Sequence, residues 1–329
     1  MCRERMHMTA QMVGVIDGDN VAFAIVSAES DLRLESVQQF KTGEFPTFTD
    51  ALQSYTRAHN LSTADLSLGL AVAGVARGDV ISLANCRWYI SVSGLRAFLG
   101  REPLVLNDFA ATAWSLSGLQ TSQMKQIGPV PPRGIAPGRS FLVVGTGPGL
   151  GAATLVIRDD GSPVVLESEG GHASFSPQTV REDALLESLR KRHGHVSFER
   201  LVSFQGLQNI HGWLQEQAGR PGAPPPPDQI IAAALRGDRL ARDAAEMCAS
   251  ALGNFAGNMV LGAGAWDGLI LVSPMLRQLM PILDGPALRN AFLAKGRMRK
   301  SLELVPSSFA NGETASLSGA AAALRARVR

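Results

Sequence analysis

Residues 141–157 read FLVVGTGPGLGAATLVI, two apolar runs around a stretch with glycine at every second position. Phe141 to Val144 has the length and composition of a buried strand, Gly145 to Gly151 is a glycine loop, and Ala152 to Ile157 is the returning strand. Backbone N–H groups in such a loop are uncovered by side chains. A nest of them can cradle phosphate oxygens, and a plain glycine-rich hairpin is the alternative. The loop lacks a Gly-Lys-Ser/Thr ending, and a strand follows where a helix is required. Neither the P-loop nor the dinucleotide fingerprint fits.

Downstream, Pro163 to Glu167 is a third strand that runs into Glu169-Gly170-Gly171-His172. Upstream, residues 12–26 (MVGVIDGDNVAFAIV) show the same strand–turn–strand order, with the turn at Asp17-Gly18-Asp19-Asn20. Pro46 opens a helix with Phe48, Leu52 and Tyr55 on one face. Leu66 to Ala73 is a buried strand, and a turn at Arg77-Gly78-Asp79 leads into another. Leu104 to Leu106 is a short strand that delivers Asn107-Asp108 to its C-terminal end, ahead of a helix from about Ala110 to Ser117. Helices dominate from Glu182 to Gly262, broken by a loop whose four prolines at 224–227 predict exposed extended chain. Leu269 to Val272 is another buried strand, and Ala315 to Val328 is a terminal helix. This order predicts an α/β protein of two related halves.

A length of 329 residues suits roughly two domains, and 45% hydrophobic with 18% charged residues is the profile of a folded chain. The net charge of +2 argues against a dedicated nucleic-acid binder, which must neutralise phosphates. Cys2, Cys86 and Cys248 are too widely spaced for a zinc site or a disulfide framework. The segment MCRERMHMTAQM is too polar for a signal peptide, and the apolar runs are too short for a bilayer. The expectation is a soluble cytoplasmic protein.

Three clusters carry polar chemistry. In Asn107-Asp108, a carboxylate at a strand's end can take a proton from a hydroxyl while the amide orients the same substrate; alternatively Asp108 is the N-cap of the following helix. Glu169 and His172 flank a flexible turn, and such a polar set suits sugar hydroxyls, each of which donates and accepts. A solvated surface turn is the other reading. Glu199, in HVSFER at 195–200, reads by itself as an ordinary helix carboxylate. His7, His59, His193 and His211 have no metal-ligand spacing and read as surface or structural residues. The basic run KGRMRK at 295–300, with Arg325, Arg327 and Arg329, lacks aromatics for base stacking and reads as a solvated face.

Taken in order, several segments resemble the bacterial glucokinase family of the actin-like ATPase and sugar-kinase superfamily, over nearly the whole chain. They are Asn85 and Trp88 in ANCRW, NDF at 107–109, GTGPGLG at 145–151, EGGH at 169–172, HVSFER at 195–200, Gly257-Asn258, and KGR at 295–297. The related ROK sugar kinases share an EGGH-like element but usually carry a cysteine-rich zinc motif, which this sequence lacks. The resemblance implies an α/β, two-domain actin-like ATPase (ribonuclease H-like) sugar-kinase fold with an interdomain cleft. A small α/β domain would comprise 1–109 plus 305–329, and a large one 110–304. It further implies ATP-dependent phosphorylation of glucose to glucose 6-phosphate, with ATP and Mg2+, by a homodimer. Asn107, Asp108, Glu169, His172 and Glu199 would contact the sugar, with Asp108 the general base. ATP would lie against Asp17, Gly18 and Asn20 of a first phosphate loop and against Gly145, Thr146, Gly147, Gly149 and Gly151 of a second. No residue is assigned as a metal ligand.

Two stretches depart from the family. Its first phosphate loop usually reads Asp-x-Gly-Gly-Thr-Asn, where this chain has Val15-Ile16-Asp17-Gly18-Asp19-Asn20. Leu271-Val272-Ser273-Pro274-Met275 stands where a Gly-Gly pair normally lets the backbone approach adenosine. They carry an alternative expectation, a catalytically impaired homologue that binds sugar or regulates. A third is a kinase with another phosphoryl donor.

Overall fold

The computed structural model describes residues 10–27, 32–83, 86–311 and 315–328, so Cys2, His7, Asn85 and Arg329 lie outside the described residues. The first hairpin follows its turn chemistry. Strand β1 (Ala10–Asp17) pairs antiparallel with β2 (Asn20–Val26) without a register break, leaving only Gly18 and Asp19 in the turn. Gly18 has φ +55° and Asp19 is not in the positive-φ region, the pattern of a type II′ turn with glycine first. Strand β3 (Leu34–Lys41) extends the sheet beside β2. Helix α1 (Phe48–Ala58) begins two residues after Pro46 because Thr47 and Asp50 form a capping box. Its Phe48, Leu52 and Tyr55 are buried, as their spacing predicts.

Strand β4 (Leu66–Val72) runs parallel to β1. A separate ribbon of β5 (Val80–Ser82) and β6 (Tyr89–Ser91) leads into α2 (Val92–Leu99). Strand β7 (Leu104–Asn107) then joins the sheet parallel to β4, and α3 (Asp108–Ser115) follows at once. The sheet order is β3-β2-β1-β4-β7. Ile16 lies opposite Val72, and Val72 opposite Asn107, so three parallel strands end abreast. Asp17 and Asp108 therefore leave the same sheet edge, two strand spacings of about 4.8 Å apart, where open α/β sheets place ligands.

The second unit is built on a six-stranded sheet of order β11-β10-β9-β12-β13-β8. Its strands are β8 (Met124–Ile127), β9 (Ser140–Thr146), β10 (Leu150–Ile157), β11 (Pro163–Ser168), β12 (Gly268–Leu271) and β13 (Ser307–Ala310). Helices α4 (Val180–His193), α5 (Phe204–Gln217), α6 (Pro227–Leu235) and α7 (Arg239–Ala263) come between β11 and β12. Helices α8 (Pro274–Leu283), α9 (Pro286–Leu293) and α10 (Arg299–Glu303) come before β13. The proline run departs from its expected form at one end. Pro227 is the first residue of α6, where the missing N–H costs nothing. Gly257, singled out by the family motif, is explained by packing, since a Cβ there would lie 2.6 Å from Phe292 O of α9 and 2.8 Å from Lys295 Cε. His211 is buried, and desolvation holds its imidazole below the ordinary histidine pKa.

Helix α11 (Ala315–Val328) has the bounds its sequence predicts and returns to the first unit, against α3 and β4. The compact units are Met1–Ser117 with Thr314–Arg329, and Gly118–Glu313. Both joints differ from the expected 1–109 plus 305–329 and 110–304. A break at 109 would cut α3, and β13 is held in the second unit's sheet by pairing with β12 and β8. Among the described residues no helix is long and apolar enough to cross a membrane.

Candidate active site

At the edge of the first unit, the capping role expected as one reading of Asp108 falls to its neighbour. Asn107 Oδ1 accepts the N–H groups of Phe109 (2.8 Å) and Ala110 (3.2 Å), and its Nδ2 donates to Gly74 O at 3.1 Å. Asn107 thus starts α3 and ties the exit of β4 to that of β7. Asp108, half-buried, is the helix's first residue, and its main-chain oxygen accepts from Thr112 Oγ1 (3.1 Å) and Ser316 Oγ (3.4 Å).

On the same edge, Asp17 and Asp19 are exposed, while Asn20 Oδ1 accepts from Lys41 Nζ at 2.8 Å. Val15 packs with Ala22 and Leu106 against an apolar cluster. The valine that replaces the family's aspartate is thus part of the packing beneath the β1–β2 turn.

The second unit gathers the other three sugar candidates. His172 Nε2 lies 4.0 Å from Glu169 Oε2, and His172 Nδ1 lies 4.0 Å from Glu199 Oε1. The side chains are 48% (Glu169), 62% (His172) and 27% (Glu199) exposed, an imidazole between two carboxylates open to a ligand. Glu199 lies in a 3-10 turn, Phe198–Arg200, and not in an ordinary helix. The segment around 170–175 is stitched to 195–200 by Phe198 N–H to Ala173 O (3.0 Å) and Phe175 N–H to Val196 O (2.9 Å). Gly171 is required because a Cβ there would stand 2.1 Å from Leu150 O.

The glycine loop differs from the expected nest. Gly145 and Gly151 are opposed in the β9–β10 ladder, which shortens the turn to residues 147–149. No glycine between 145 and 151 has a positive φ, so the alternating backbone of a nest is not formed. Gly147 N–H donates to Gly149 O (2.9 Å), and Leu150 N–H donates to Glu199 Oε2 (2.9 Å). At the second departure, Ser273 caps α8 by accepting the Leu276 N–H at 3.1 Å, with Pro274 as the first helical residue. Ser-Pro is a sound helix start in place of Gly-Gly.

Two contributors escaped sequence reasoning. His195 Nε2 hydrogen-bonds His172 O at 3.1 Å, and Leu150 supplies a main-chain donor. His195 had a signal, since it opens HVSFER; a backbone N–H has none. The basic run is not simply solvated, since Lys295 is half-buried, bonded to Asn254 Oδ1, and its pKa is lowered by that burial.

The glucokinase family model matches residues 12–327. A glucokinase of Stenotrophomonas maltophilia (strain R551-3) is 38% identical over 321 residues, covering 94% of this chain and 93% of that protein. The crystal structure of a glucokinase from an Antarctic psychrotroph superposes with a TM-score of 0.80 at 29% identity, covering 96% of this chain and 99% of that one. A ROK-family glucokinase of Streptomyces griseus, solved in complex with glucose and AMPPNP, shares the fold, with a TM-score of 0.60 at 19% identity over 96% of this chain and 99% of its own. The two α/β units are those of the actin-like ATPase sugar kinases. With its sequence matched nearly end to end, the chain belongs to the glucokinase family of sugar kinases.

Proposed function

We propose that this protein transfers the γ-phosphoryl group of ATP to the terminal hydroxyl of glucose, giving glucose 6-phosphate and ADP. The observation that carries this is the grouping of Glu169 and His172 from one segment with Glu199 from another into one open polar set. Sugar hydroxyls both donate and accept, and two carboxylates with an imidazole answer both demands. Asn107 and Asp108 complete the sugar contacts. Asp108 takes the proton of the terminal hydroxyl as that oxygen attacks phosphorus. Phosphoryl transfer asks little else of the protein beyond positioning and charge stabilisation.

ATP is assigned to the β1–β2 turn (Asp17, Gly18, Asn20) and to the glycine loop (Gly145, Thr146, Gly147, Gly149, Gly151). Magnesium bound with ATP would supply charge neutralisation. A hard cation of this kind needs only one or two protein carboxylates, and the exposed Asp17 and Asp19 are of the right type. The same exposure weighs against the impaired reading. At a water-like dielectric, each carboxylate at roughly 6 Å lowers affinity about threefold per unit of phosphate charge. Family resemblance supports a homodimer.

Calorimetric titration with glucose tests the sugar half. A saturable heat is expected, with weaker binding by a sugar lacking one contacted hydroxyl, because an unpaired buried polar group costs about 1–3 kcal/mol. No heat and no thermal stabilisation at millimolar glucose would contradict the assignment.

A further inference from the structure

The carboxylate of Glu199 is set from two sides. Oε1 faces His172, while Oε2 receives the Leu150 N–H at 2.9 Å. Room for the second contact exists because residue 149 has no side chain. A Cβ on Gly149 would stand 2.6 Å from Glu199 Oε2, and among the described residues, its two chain neighbours aside, the atoms within 4 Å of it belong to Glu199. The backbone of Gly149 lies outside the positive-φ region, so conformation alone does not call for glycine. The surrounding chain braces the arrangement. Thr146 Oγ1 lies 2.7 Å from Val202 O and 3.1 Å from Gly149 O, Phe204 N–H donates to Gly147 O at 2.7 Å, and Ser203 Oγ donates to Glu199 O at 2.8 Å.

We infer that the glycine loop is a positioning element for the sugar site. The Leu150 N–H fixes the Glu199 carboxylate, and Gly149 is glycine to admit it. The loop assigned to ATP phosphates therefore also sets sugar affinity. This rests on the reading of Glu199 as a sugar contact.

Gly149→Ala is the direct test, because the group that the new methyl meets is the Glu199 carboxylate. Losing a charge-assisted hydrogen bond that orients the site is expected to raise both the Kd and the KM for glucose about tenfold or more. Because Gly149 also belongs to the loop assigned to ATP, the deciding reading is the glucose Kd measured by calorimetry without nucleotide, and the melting temperature stays near wild type. In a Glu199→Asp background the carboxylate is withdrawn by one methylene, so Gly149→Ala adds less than about twofold to the glucose Kd. Equal glucose affinity in Gly149→Ala and wild type overturns the inference, as does a full tenfold penalty that persists beside Glu199→Asp. Should Gly149→Ala fail to fold, Thr146→Val loosens the same loop. It is expected to raise the glucose Kd severalfold in the wild type and not in Glu199→Asp, and no change in the wild type overturns the inference. A wild-type protein that binds no glucose overturns the functional reading itself, a result seen before any variant is made.

Discussion

Asp108→Asn is expected to lower kcat by about 10²–10⁴-fold, while glucose affinity changes no more than a few-fold. The amide keeps the shape of the carboxylate and cannot accept the hydroxyl proton. The substitution spares the start of α3, because its cap is Asn107 and not Asp108. A lost N-cap costs about 1 kcal/mol of stability, and Asp108→Asn leaves that cap intact. The main-chain bonds from Thr112 and Ser316 to residue 108 are also retained. Turnover comparable to wild type would remove Asp108 from the chemistry.

Gly319→Ala is expected to destabilise the first unit by about 3 kcal/mol, the upper end of ordinary overpacking. A Cβ at this position would stand 1.6 Å from Ala111 O, 2.5 Å from Ala111 C and 3.0 Å from Ser115 N. All three are backbone atoms, so no side chain can move aside, and α11 must lift from α3. At roughly 2–4 °C per kcal/mol for a chain of this size or somewhat smaller, the melting temperature should fall by about 6–12 °C. Helix α3 begins with Asp108, and Ser316 of α11 bonds its main-chain oxygen, so turnover should fall with stability. A melting temperature within a degree of wild type would show that the helices do not meet as described.

Local chemistry explains which parts of the fold were legible. Asp17-Gly18 announces its hairpin, Phe48, Leu52 and Tyr55 their buried face, and residues 315–328 their helix, because each signal lies within a few neighbouring residues. Strand partnership has no such signal. The sequence shows nothing that assigns β13 to β12 and β8, so the expected domain boundary misplaced it. At the site, resemblance marked Glu169, His172 and Glu199, and the structure brings them together. Periodicity alone made Glu199 an ordinary helix residue, because its partner Leu150 is 49 positions away and contributes a main-chain N–H. The backbone form of the glycine loop was hidden for a related reason. Alternate glycines suggest an anion nest, but Gly145 and Gly151 serve a ladder, and Gly149 makes room for a side chain.

Formation of glucose 6-phosphate by the unmodified protein, followed with a coupling dehydrogenase at millimolar glucose and Mg-ATP, is the decisive measurement of phosphoryl transfer. Saturable turnover in the range of about 1–100 s⁻¹ usual for kinases is expected, despite Val15, Asp17 and Asp19 in the first phosphate loop. Absence of product above background, from protein that still binds glucose by calorimetry, would contradict it and identify a sugar-binding homologue that has lost phosphoryl transfer.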